Sequence, residues 1–247
     1  MTDTEKSTLI TDLAPFTVAS ITPVIVDPQI TKLILGVTFK FDSNKTTETT
    51  TSLESKVSTT LTNYNTNSLA QFEGAFRHSK VTNLVDDTHT SITSNITNIT
   101  LSHDLSPTLN SSTSYNIQLN NKFYNPHDEH NADGGGILAS TGFKVSGDAT
   151  NVQYFDDDGS GNIRRYYIVA GVRQYQDNTA GTITYSSGEI VINNINITSI
   201  ENVDEAASSV IRLTVTPDSL DIIPVRNQIL EIDFVNTTVT GSVDTIA

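Results

Sequence analysis

The sequence predicts an α+β fold: a small strand–helix–helix–strand unit followed by a β-rich region of hairpins. Three observations predict it. Leu33, Leu35, Val37, Phe39 and Phe41 alternate with less apolar neighbours over 31–42, the period of a half-buried strand. Leu53, Val57, Leu61 and Tyr64 follow at spacings of four, four and three, the period of one helical face. Beyond the three consecutive glycines Gly134 to Gly136, alternation and turn residues dominate and no long helix is legible.

Taken in order, residues 1–30 form an N-terminal extension that starts polar and turns apolar at Ile21-Thr-Pro-Val-Ile-Val. The strand over 31–42 comes next. Thr47 to Thr51 supply capping hydroxyls for the first helix, whose many β-branched threonines make it depend on tertiary packing. A second, shorter helix spans about Ser79 to Asp86, with Val81, Leu84 and Val85 inward. Ile96, Ile99, Leu101 and Leu105 mark a return strand, and Tyr115, Ile117 and Leu119 another. These elements make an α+β domain over 31–122.

Residues 123–136 read as a Gly-rich loop, and Gly134-Gly-Gly as a flexible joint. The β-rich domain fills 137–247. Val152–Phe155 and Ile163–Val169 flank Asp156-Asp-Asp-Gly-Ser-Gly-Asn as a hairpin. Ile183 and Tyr185 lead through Ser186-Ser-Gly into Glu189-Ile-Val-Ile as a second. Two more strands close the chain. Ile211, Leu213 and Val215 share one face of the first, and Leu230, Ile232 and Phe234 one face of the second.

Composition narrows the partners. With 14 basic and 28 acidic residues the net charge is −14, which repels phosphate backbones and anionic membrane surfaces. The absence of cysteine rules out disulfides, zinc–thiolate sites and thiol chemistry. No stretch approaches a membrane span, and the N-terminus lacks the basic head and apolar run of a signal peptide. The Asn-x-Ser/Thr triplets at Asn44, Asn95, Asn98, Asn110, Asn196 and Asn236 follow from a chain rich in Asn and Thr.

Candidate chemistry is sparse. His127, Asp128, Glu129, His130 and Asp133 have ligand types but no helical His-Glu-x-x-His frame, so they read as a solvated loop. Counting a calcium loop from Asp156 puts Gly161 at the sixth position but Tyr167, rather than Glu, at the twelfth. Asp156, Asp157 and Asp158 therefore read as a β-turn. No nucleophile elbow, nucleotide fingerprint or partnered histidine is present. The expectation is a non-enzyme without metal or cofactor. Arg226, Asn227 and Gln228 are the candidate subunit-contact residues, although Arg226 serves equally well as a local partner of Asp221 or Asp218.

Three segments, in order, resemble the baseplate wedge subunit of T4-like contractile-tailed phages, a relative of the broader baseplate J-like family. The first runs through Leu33–Phe41, Leu53–Tyr64, Asn67-Ser-Leu-Ala-Gln-Phe-Glu-Gly-Ala-Phe-Arg-His-Ser-Lys, Leu84-Val-Asp-Asp-Thr and Ser91-Ile. The second comprises Tyr154-Phe-Asp-Asp-Asp-Gly-Ser-Gly-Asn-Ile-Arg and Gly181-Thr-Ile-Thr-Tyr-Ser-Ser-Gly-Glu-Ile. The third is Pro224-Val-Arg-Asn-Gln-Ile-Leu. They correspond to the second half of a family whose members are commonly much longer. The resemblance implies a virion protein made in the host cytoplasm that associates with copies of itself, other wedge proteins, and tail hub and sheath-platform proteins in a ring. A β-rich receptor- or glycan-binding tail module is the competing expectation; it requires an exposed aromatic groove.

Overall fold

The computed structural model describes residues 2–17, 23–25, 27–125, 136–202 and 207–245. The fold is mostly β, with 46% strand and 19% helix, so the α+β expectation holds only coarsely. The helices are α1 (Asp3–Leu13), α2 (Thr50–Tyr64) and α3 (His78–Asp86). The strands are β1 (Gln29–Phe41), β2 (Ile92–Leu105), β3 (Ser112–Gln118), β4 (Ala139–Ser140), β5 (Phe143–Val145) and β6 (Asp148–Asp157). They continue with β7 (Asn162–Val169), β8 (Val172–Thr184), β9 (Glu189–Ile200), β10 (Ile211–Val215), β11 (Gln228–Ile232) and β12 (Thr238–Val243).

The predicted strand–helix–helix–strand unit is present. β1 and β2 pair antiparallel, and α2 and α3 connect them. Strict alternation puts Leu33, Leu35, Val37, Phe39 and Phe41 on the inner face of β1, all buried. Against it α2 turns Leu53, Val57, Leu61 and Tyr64, also buried, and α3 turns Val81 and Val85. Thr49 caps α2, its Oγ1 accepting from the Ser52 amide at 3.2 Å. A π-type turn, Asn65–Leu69, extends that helix and buries Leu69. Two side chains depart from the periodic reading: Leu84 is half-buried, and Ile96 is 65% exposed because parity places it on the outer face of β2.

Both flanks of this pair are completed by the end of the chain. β10 lies antiparallel to β2, whereas β11 and β12 lie end to end along β1, both parallel to it. Three strands therefore follow residue 210 where two were expected. The break between β11 and β12 is a turn built on Asp233, whose Oδ1 accepts from the Val235 and Asn236 amides. Phe234 consequently lies outside the strand and is 39% exposed, rather than joining Leu230 and Ile232 in the core. Gly241 is required in β12, because a Cβ there would come 2.6 Å from the Phe39 ring.

From β10 the sheet passes through β4 to β6 and on into a second body. There β5 pairs with β6, β6 with β7, β7 with β8, β8 with β9, and β9 with β5, all antiparallel. This closed circuit is a small barrel. The two expected hairpins are two of its sides, and a third, β7–β8, turns at Ala170-Gly171. Inside it Phe143 and Phe155 have ring centroids 4.6 Å apart, packed with Ile163, Ile183, Ile190 and Ile197. β3 pairs with β9 on the barrel and not with the β1–β2 pair.

α1 was not foreseen. Its signal is a capping box, in which the Thr2 hydroxyl accepts from the Glu5 amide and the Glu5 carboxylate from the Thr2 amide. None of its residues is buried. Among the described residues no helix is long and apolar enough to cross a membrane.

Candidate functional site: a braced connector and a charged barrel face

The connector between β10 and β11, residues 216–227, contains two of the three predicted contact residues, Arg226 and Asn227, and Gln228 opens β11. It is tied down along its length. Phe123 bridges to Pro217 and Phe76 to Ile222, with the Asp218 amide donating to the Lys122 carbonyl at 2.9 Å. Asp221 accepts from Arg77 Nη1 and from the His78 amide, each at 2.9 Å. The Ile223 amide donates to Asn121 Oδ1 at 3.1 Å. The strap therefore spans from the β1–β2 unit to the segment beside the barrel, and a cavity of about 610 Å³ lies along it.

Arg226 and Asn227 are exposed at the end of this strap. Asp221, one of the two local carboxylates open to Arg226, is taken by Arg77, and Arg226 makes no hydrogen bond or ion pair among the described residues. The Asn227 side chain faces solvent while its carbonyl accepts from the Gln29 amide at 2.9 Å. Gln228 is placed differently. It is wholly buried, Nε2 donating to Thr31 Oγ1 at 2.6 Å and to the Leu119 carbonyl at 3.0 Å, and Oε1 accepting from the Val225 amide. Its amide is fully used inside the chain, stitching β1, β11 and the end of β3 together.

The three consecutive aspartates divide their tasks. Asp156 and Asp157 lie within β6, and only Asp158 belongs to the turn. Asp156 accepts from Arg164 Nε at 2.9 Å, Arg173 Nη1 at 2.5 Å and the Tyr175 hydroxyl at 2.8 Å. The Arg164 guanidinium lies 4.2 Å from the Tyr175 ring centroid, and Arg173 4.6 Å from Tyr166. Tyr154 stacks on Tyr166 at 5.6 Å. Asp157 accepts from the Leu138 amide and the Tyr185 hydroxyl, both at 2.7 Å. Burial, and secondly the Asp157 carboxylate, push the Tyr185 phenol far above its ordinary range.

Asp158 closes the turn by accepting from the Ser160 and Asn162 amides at 2.8 and 3.0 Å. Burial opposes its charge, but the hydrogen bonds from Asn162 and Ser160 outweigh burial and hold its carboxyl below the usual range. The β-turn reading thus holds for Asp158, while sequence reasoning missed the two buried carboxylates beside it. Arg164 and Arg173 were the available signal, since two arginines eight and seventeen residues on fall opposite Asp156 only once the hairpins pair.

This face is filled rather than open. Guanidinium groups cover the Tyr166 and Tyr175 rings, so these tyrosines do not form the stacking groove a glycan-binding module needs. Gly136 is no free joint: a Cβ there would lie 2.0 Å from Asp157 Oδ1. Among the described residues no group of three His, Asp or Glu side chains is placed to hold a metal ion. His127, Asp128, Glu129, His130, Asp133, Gly134 and Gly135 lie outside the described residues.

The decisive geometry is the β1–α2–α3–β2 order with its shared buried face. Residues 33–104 match the family model of baseplate structural protein gp6, C-terminal domain III. The wedge-subunit resemblance is borne out over this gp6-like module, which takes in less than a third of the chain. It supports a structural role in a phage baseplate and a place in the virion tail. Comparison with curated proteins gives no match. Of the three resembling segments only the first lies within the gp6-like module; the hairpin segments and the strap block at Pro224–Leu230 fall outside it.

Proposed function

We propose that the chain is a structural subunit of a phage tail baseplate wedge, joining copies of itself and other wedge proteins in a ring around the tail hub. The observation that carries this reading is the gp6-like module at 33–104, whose four elements fold as one buried layer. The role is assembly and transmission of conformational change rather than turnover of a substrate. The filled barrel face and the braced strap support it, because rigid surfaces lose little freedom on association. Net charge of −14 favours protein partners over nucleic acid or anionic membrane.

Within this reading Arg226 and Asn227 are contact residues. An exposed guanidinium without an internal partner is suited to a carboxylate on a neighbouring subunit. The experiment is localisation of a tagged chain in imaged tail particles. Density around the tail axis at the baseplate is expected; density on distal fibres, or none, overturns the proposal. Arg226→Glu should lower incorporation into particles while leaving the thermal unfolding of the isolated chain unchanged.

A further inference from the structure

The β7–β8 hairpin ends in an apolar knob. Ile168, Val169 and Val172 are 53%, 49% and 60% exposed, and Ala170 and Gly171 between them are exposed too. The turn is built at a cost. Both central residues have positive φ, 49° at Ala170 and 81° at Gly171, and such hairpin turns favour Asn-Gly. A left-handed alanine is strained, because its Cβ crowds the following carbonyl oxygen. The sequence thus gives up turn chemistry and keeps five consecutive apolar residues in water, in a chain whose net charge is −14.

The strap cavity has an apolar wall set among polar and charged side chains. Ile223, Pro224 and Val225 line it, with Ile223 and Val225 exposed. Its charges cancel, since Arg77 and Lys122 stand against Asp218 and Asp221, and Arg226 next to it adds a positive charge. Knob and cavity cannot meet within one chain. The knob sits at the Val172 end of β8, whereas the cavity residue Lys122 is adjacent to Phe123, whose amide donates to the Tyr185 carbonyl just past the other end of that strand. β8 has 13 residues and spans up to about 40 Å.

We propose that the knob of one copy seats in the strap cavity of the next. This rests on the self-association reading above and gives it two surfaces. Two acidic copies approach with least repulsion where charge is cancelled, and the cavity beside the strap is such a place. A contact between different surfaces at opposite ends of a strand is heterologous, the kind that closes into a ring when its rotation permits.

The chain has no cysteine, so introduced thiols report cleanly. Val169→Cys and Ile223→Cys chains are mixed at a concentration where the native chain associates, then oxidised. A disulfide-linked heterodimer well above the yield from either variant alone is expected; equal yields overturn the proposal. Ala170→Asn supplies a second readout, since it relieves the turn while making the knob polar. It should raise the melting temperature and weaken association about tenfold. If association is unaltered while particle incorporation falls, the knob meets a different subunit and the proposal fails, though the baseplate reading stands. If the native chain sediments as a monomer at every concentration, both the pairing and the self-association reading fail.

Discussion

The gp6-like module and the barrel solve the same problem with different chemistry. In the module a strand face of Leu, Val and Phe meets a helix face of Leu, Val and Tyr, and its one buried acid, Asp42, sits at a strand end taking the Asn44 amide. In the barrel, Asp156, Asp157 and Arg164 are buried beside the aliphatic core, and arginines and tyrosines satisfy them. The module has helices to cover its sheet, so apolar burial is sufficient there. Among the described residues no helix packs closely on β6, β7 and β8, and the outward face is covered by its own long side chains. Burial by apolar packing tolerates approximate fit, whereas burial by ion pairs requires every partner.

The largest effect tests that requirement. Asp156→Ala leaves Arg164 and Arg173 facing a lost carboxylate, and should cost about 3–5 kcal/mol. Urea unfolding followed by tyrosine fluorescence measures it; a cost under about 1 kcal/mol would place the barrel with the module as an apolar core. Next comes Leu61→Ala in the module, expected at about 2–5 kcal/mol from a wholly buried position. Its cost should vary little between low and high salt, which hydrogen exchange or calorimetry can check. Gly241→Ala follows, at about 1–3 kcal/mol, because the new Cβ meets the Phe39 ring and, at 3.1 Å, Thr50 Cγ2. A neutral result there would show that the edge of the module yields.

The smallest expected effect is electrostatic and lies on the module's outer face. Lys32 Nζ and Arg212 Nε donate to Asp104 at 2.6 and 3.2 Å, linking β1, β2 and β10. Burial raises the Asp104 carboxyl, but Lys32 and Arg212 outweigh it and the net pKa is lowered from 3.8. A depressed folded value means stability present above pH 3.8 and lost as pH falls through the lower folded value. Asp104→Asn should therefore flatten the acid limb of the stability curve and change little at pH 7. Melting temperatures between pH 2 and 5 report it, with the difference shrinking at high salt because the pair is only partly buried.

The two regions also differ in how far their sequence discloses them. The β1 alternation and the α2 face were read with their inward residues intact, because each element is amphipathic over one continuous stretch. The barrel's hairpins were read where Asp-Gly or Ser-Gly marked a turn. The β7–β8 turn escaped because Ala170-Gly171 carries no polar turn residue. β5, three residues long, is too short for any period to declare it. Phe234 continues the parity of Leu230 and Ile232, yet Asp233 turns the chain before the pattern can count. Gln228 looks like a surface amide in sequence and lies at the junction of three strands in the fold.

By itself the sequence determined the module: its strand, its helical face, their order, and hence the resemblance to the baseplate family whose model residues 33–104 match. Those signals are local, since periods of two and of 3.6 need only neighbouring residues. Tertiary structure alone decided that residues 228–243 lie parallel to β1, that five strands close into a barrel, and that Asp156 meets Arg164 and Arg173. It also decided that the strap is braced at Phe76, Asn121 and Lys122, with Arg226 left outward. Such pairings join residues up to about two hundred positions apart, where register follows from the packing of whole faces and no local period records it.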